Sequence, residues 1–430
     1  MRSISKLACS LMLGVAGVAM TSAPAMAAKK EKAPEAPKLE MSKGFIEAAQ
    51  AVQKANTAKD FAAMSAALPA ADAAATTPGD KYTAGNFRLA AGLGLNDQAM
   101  QRQGLKQMLA SGVTPAADVP KFNFFAGQLA FNQKDYDDAI TYLQKAAEAN
   151  YDGSNSNLLL AEANFQKAIA LSGNTGQLSA AAKPVALQGL TPLKKAIELE
   201  KAAGRPVPAA WLSRGFSMAY TAGAPDAPQW AMLQVETNPT GENWRQLLRT
   251  FQDRNRSLTA GENLDVMRLM YQTGALQSEY DYAEYADTAS KLALFGEVKS
   301  VIDQGRSNGK LPAGKLNDFY TQATGKMTSD KASLTSAAAD ASKAANGRTA
   351  AFTAGAYQGY GEYAKAAELY KVALQKGSVD AGEVNTRLGI TLAMSGDTAG
   401  AKAAFEQVNT GARKEIAQFW LLWLSKKAAA

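Results

Sequence analysis

The 430-residue sequence contains no histidine, and its single cysteine, Cys9, lies close to the start. These absences remove Ser–His and Cys–His nucleophiles, the usual zinc sites and disulfide cross-links from the body of the chain. Only carboxylate, hydroxyl, lysine and metal-carboxylate chemistry remains. Long apolar runs are scarce too, and after residue 27 none reaches the roughly 20 residues needed to span a bilayer, so no membrane span is expected.

The apolar run that is present comes at the beginning. Arg2 and Lys6 precede LACSLMLGVAGVAM, and Ala25-Met26-Ala27 offers small residues for cleavage. This is the pattern of a secretory signal peptide over residues 1–27, cut after Ala27, and it predicts a periplasmic location. Lys6 and the place of Cys9 ahead of the apolar run argue against lipid attachment. Residues 28–40, AKKEKAPEAPKLE, read as a flexible leader. Without Arg2 and Lys6, 44 of the 46 basic residues face 39 acidic ones, a net charge of +5. That surplus is small and dispersed. Together with export it leaves nucleic acid outside the expected partners, and Arg249, Arg254 and Arg256 read as a solvated helix end.

From about residue 41 the apolar spacing is helical, and turn residues interrupt it every 12 to 20 positions. An all-α chain of short antiparallel helices is predicted. A longer period underlies it. Gly127 and Ala139 are twelve residues apart, as are Gly215 and Ala227, Ala354 and Ala366, and Gly389 and Ala401, while Ala146 and Ala373 stand nineteen after the first members of their units. Small residues at such places let two helices of a hairpin touch, with bulkier neighbours filling the flanks. Between the helices, Asp135-Tyr136, Glu362-Tyr363 and Gly396-Asp397 mark the turns, where Asp can cap the second helix and Tyr can pack back across the loop.

This pattern resembles the tetratricopeptide repeat, a helix-turn-helix unit of about 34 residues. Residues 120–153 supply Gly127, Tyr136, Ala139, Leu143 and Ala146, with Asn123 and Tyr151 where the family has an aromatic and a proline. Residues 208–240 supply Trp211, Gly215, Ala227 and Pro239, and Trp244 with Leu247 begins another unit. Residues 347–380 and 382–410 form a tandem pair with 35 residues between Ala366 and Ala401. Degenerate pairs fill the rest, giving roughly nine to eleven hairpins. The resemblance implies a right-handed helical-repeat superhelix, an α-solenoid. Its N-terminal lobe covers residues 41–205, and its C-terminal lobe covers 206–425 with a capping helix. AGRPVPAAW (203–211) reads as the elbow between them, and 165–192 as a stretched turn.

No catalytic constellation emerges. Gly359-Tyr360-Gly361 lies in a repeat turn with no strand before it, unlike a nucleotide-binding loop. Glu279 and Glu284 stand among tyrosines in MYQTGALQSEYDYAEY, a composition suited to sugar stacking, but helical repeats run on both sides and leave no room for a compact catalytic domain. No enzyme activity, metal or cofactor is expected.

The resemblance implies a concave groove that holds a protein or peptide. The family's groove positions fall on Lys121, Phe124, Gln128 and Phe131 in one unit, Phe216 and Tyr220 in the next, Arg245 and Arg249 in the third, and Arg348 near the C-terminal pair. Such a face, aromatic and basic, suits an acidic or carboxylate-ended peptide. The same residues also suit packing between units. In ARKEIAQFWLLWLSKK, Phe419, Trp420 and Trp423 are expected to cap the last repeat, with partner binding as the other reading. A scaffold or adaptor in cell-envelope assembly is the function implied, with binding of envelope glycan or exported polysaccharide as the alternative.

Overall fold

A computed structural model describes residues 39–173 and 175–428. The expected signal peptide, Cys9 and nearly all of the leader lie outside the described residues. Within them the regular structure is helical throughout, with twenty α-helices. The chain divides into two compact units, one ending at Pro206 and one beginning at Val207.

The first unit holds α1 (Lys43–Thr57), α2 (Phe61–Ala74), α3 (Pro78–Gly94), α4 (Gln98–Ala110), α5 (Val119–Asn132), α6 (Tyr136–Glu148), α7 (Ser154–Leu171) and α8 (Ala182–Ala202). They pack as successive hairpins, each against the next. The stretched turn foreseen near 165–192 resolves into two long helices, of 18 and 21 residues, joined by the segment 172–181. The unit's opening helix is fastened by Asp80, which is fully buried and accepts bonds from the backbone N–H and hydroxyl of Ser42 and from the N–H groups of Thr76 and Thr77.

The second unit holds α9 (Ala209–Ala222), α10 (Ala227–Thr237), α11 (Gly241–Arg254), α12 (Ala260–Gln272), α13 (Glu279–Lys291), α14 (Phe295–Ser307), α15 (Asn317–Lys343), α16 (Arg348–Gly359), α17 (Tyr363–Lys376), α18 (Ala381–Ser395), α19 (Thr398–Glu406) and α20 (Gly411–Lys427). Two features depart from a plain stack. A single helix of 27 residues, α15, takes the place of a hairpin and buries only Ala323, Leu334 and Ala341. And α12 is buried at every position from Leu264 to Met270, because α18 and α20 pack on it as well as its chain neighbours α11 and α13.

One turn recurs in both units. Lys59, Asn96, Lys134, Ala293, Gly361 and Gly396 each have positive φ, and the residue after each caps or opens the second helix. In all six the following N–H bonds back five residues, as Asp60 does to Ala55, Asp135 to Ala130, Glu362 to Tyr357 and Asp397 to Leu392. This is the closure that satisfies the last carbonyls of a helix and reverses the chain at once. Asp60, Asp97, Asp135 and Asp397 add the side-chain cap expected of Asp, whereas Glu362 makes none. Tyr136 does pack back across its loop, its ring 6.0 Å from that of Phe131.

Candidate functional site

The nine groove residues predicted from the repeat pattern fall in several environments. On α5, Phe124 is buried and packs its ring on Phe125 and Tyr151, at 5.4 and 5.5 Å, while Lys121, Gln128 and Phe131 are half-buried. On α9, Phe216 lies 5.7 Å from Tyr220, whose hydroxyl donates to Asp253 at 3.1 Å. Arg245 and Arg249 of α11 come together on one carboxylate. Arg245 holds Asp281 through two bonds of 3.1 and 3.2 Å; Arg249 also bonds Asp281 and reaches Glu284 at 2.7 Å. Glu284 is thereby an ion-pair partner, and Glu279 pairs with Lys315 at 3.0 Å. Arg348 is exposed, as is Tyr220, and its Nε donates to the Ser378 carbonyl at 3.2 Å.

Asp281 is a sealed junction. Burial by itself would raise its pKa, but Arg245, Arg249 and the Gln277 N–H outweigh burial and hold it at about 2. A carboxyl whose folded pKa is depressed stabilises the fold fully above its ordinary value, 3.8 here, and loses that contribution as pH falls through about 2. The melting temperature of the second unit is therefore expected to fall over that interval as pH is lowered, and Asp281→Asn to flatten the slope. An unchanged slope in the variant would show that the junction contributes nothing.

The hairpin interiors show why small residues sit where they do. A Cβ at Gly127 would lie 2.6 Å from Leu143 Cγ, one at Gly389 would lie 2.6 Å from the Phe405 ring, and Gly215 lies directly under the Trp230 ring. Each small position on a first helix receives a large side chain fifteen or sixteen residues later, and Ala139, Ala366 and Ala401 are fully buried beside them. The hairpins thus pair small residues with large ones as the twelve-residue spacing predicts. Because no Cβ fits, Gly127→Ala is expected to cost about 1–3 kcal/mol by overpacking. Gly325, in exposed α15 with nothing within 4 Å, is the control. Its change to Ala should stabilise by up to about 1 kcal/mol through helix propensity. Melting curves of the two variants should move in opposite directions.

In an open stack of helical hairpins the first helices can line a groove. The centre of the second unit is instead occupied by its own chain. Asp265 of α12 is fully buried, accepting from Arg413 at 2.5 Å and Arg268 at 2.8 Å, with Arg387 at 3.6 Å. Arg268 continues to Glu297 at 2.7 Å, and Arg387 to Glu383. Burial would raise the Asp265 pKa, but the three arginines keep it below the ordinary value. Around this cluster the aromatic end of α20 is packed. Trp420 stacks on Phe405 at 6.1 Å, Phe419 meets Phe251 edge-on at 5.4 Å, and the Trp420 indole donates to the Asp265 carbonyl at 3.3 Å. Phe419 and Trp420 thus cap the last hairpin, α18–α19, and also reach α11 and α12, while Trp423 is half-buried at the edge of Trp420.

An open cleft lies between α16 and α18, lined by Arg348, Phe352, Val379, Asp380, Val384 and Arg387, about 1160 Å³ counting its mouth. Phe352 is 74% exposed, the most exposed large apolar side chain among the described residues. Sequence reasoning missed it. The buried stripe Ala350, Ala354 and Tyr357 places residue 352 on the opposite side of α16, and that periodicity was the available signal.

No protein-family model matches the chain, and no curated protein does. Among solved structures, the tetratricopeptide domain of P58(IPK) aligns at 14% identity over 89% of this chain and 99% of that one, with a TM-score of 0.23. Yeast Tom70 aligns at 11% identity over 90% and 96%, also at 0.23. Both superpose loosely on this chain.

Proposed function

We propose that the protein is a non-enzymatic scaffold of the bacterial periplasm that holds a protein partner, in the service of cell-envelope assembly. The observation that carries the binding role is the pairing of exposed Phe352 with Arg348 in the open cleft between two first helices. An unpartnered aromatic beside a guanidinium suits a segment that offers an apolar side chain next to a carboxylate. The periplasmic location is supported by the signal-like pattern of residues 1–27.

Photocrosslinking in intact cells tests the reading, with the reactive residue at 352 or 348 and at exposed Lys326 as control. One protein captured at both cleft positions and not at 326 is the expected result. No capture from an exported, folded chain would overturn it. Mass measurement of the mature protein tests the location, with Ala28 expected as the first residue.

A further inference from the structure

A second, smaller cavity lies inside the second unit, where α12, α13, α14, α16, α17, α18 and α20 meet. It holds about 170 Å³, less than the pockets that take drug-sized molecules, so only a small ligand fits. Tyr271, Tyr285 and Tyr363 converge on it, together with Glu297, Gln358 and Ser300. The rings of Tyr271 and Tyr285 stand perpendicular, 6.2 Å apart. Among the described residues nothing bonds to these three tyrosine hydroxyls. Glu297 spends one oxygen, Oε1, on Arg268, and its other oxygen, Oε2, is buried with no donor.

Unused polar groups at a cavity wall state what the ligand must bring. Tyrosine hydroxyls both donate and accept, and burial together with the Glu297 charge pushes the Tyr285 pKa well up, so these hydroxyls keep their protons. Glu297 Oε2 accepts only. The two charges on the wall, Arg268 and Glu297, cancel each other, so the site asks for no net charge. Aromatic faces with many-sided hydroxyl partners match a neutral ring bearing several hydroxyl groups.

We propose that this cavity binds one sugar ring, entering past Ser300, with its hydroxyls bonded to Tyr271, Tyr285, Tyr363 and Glu297 Oε2. The inference is independent of the protein-binding cleft, which lies elsewhere on α16. A free monosaccharide and the end of a glycan share this chemistry.

Calorimetric titration of the whole chain with glucose, galactose, N-acetylglucosamine and maltose tests the proposal, and 1,4-diaminobutane serves as the cationic comparison. Saturable binding of at least one sugar is expected. Binding of a monosaccharide marks a free sugar as the source, and binding of maltose alone marks a chain end. Tyr271→Phe and Tyr363→Phe, which keep the rings, should each weaken it roughly three- to tenfold, the worth of one net hydrogen bond. Ser300→Trp on the exposed rim should abolish binding with the melting temperature unchanged. Binding of the diamine alone, binding of none, or sugar affinity indifferent to all three variants would overturn it.

Discussion

Asp265→Asn should destabilise the second unit by about 3–5 kcal/mol, enough to unfold it at ordinary temperature, while the first unit melts as before. The substitution keeps the shape and removes one negative charge, leaving Arg268, Arg387 and Arg413 with only Glu297 and Glu383 among them. Removing one member of a buried ion set costs far more than the set contributes, because Arg268 and Arg413 lie almost wholly out of reach of water. All five tryptophans, Trp211, Trp230, Trp244, Trp420 and Trp423, belong to the second unit. Indole fluorescence in denaturant therefore follows that unit alone, while circular dichroism follows both. Arg413→Met added to Asp265→Asn should recover part of the loss, since it withdraws an unbalanced cation. Fluorescence midpoints equal to wild type in the single variant would mean that water reaches this cluster after all.

Trp420→Ala is the second large effect, expected at about 3–5 kcal/mol by the cost of emptying a packed aromatic site. It removes the stack on Phe405 and the edge contact with Trp423, and leaves the Asp265 carbonyl without its indole donor. Trp420→Phe separates the two causes, because a ring remains and the hydrogen bond does not, so about 1 kcal/mol of the loss should persist. Trp423→Ala, at a half-buried place, should cost clearly less than Trp420→Ala. If the two alanine variants melted alike, the cap would be held by its general apolar area and not by the seat of Trp420.

Helices and hairpins were legible because their causes are local. Twelve-residue spacings of glycine and alanine, and the aspartates at four of the turns, act within a single hairpin, and Gly127, Gly215 and Gly389 do lie under Leu143, Trp230 and Phe405. The turn was only half legible. Positive φ at Lys59, Asn96, Lys134 and Ala293 has no glycine to announce it, and only the sixfold recurrence in the fold exposes the shared backbone closure. Charge partners were not legible at all. Arg249 meets Asp281 across 32 positions and Asp265 meets Arg413 across 148, and no periodicity encodes which arginine a buried carboxylate will choose. A hint was available for Asp281, since Ser278 three residues earlier forms a capping box with it, as Thr77 does with Asp80.

In a row of repeats that touch only their neighbours, the ends fray first and melting proceeds inward by steps. The return of α20 to α11 and α12 removes one of those ends. Loss of the last helix would uncover Phe251, Asp265 and the α12 backbone, so the terminus cannot peel away while the middle survives. The second unit should therefore exchange its amide hydrogens as a block, with α18 and α20 as slow as α12, and a few residues clipped from its tail would be felt first at its heart.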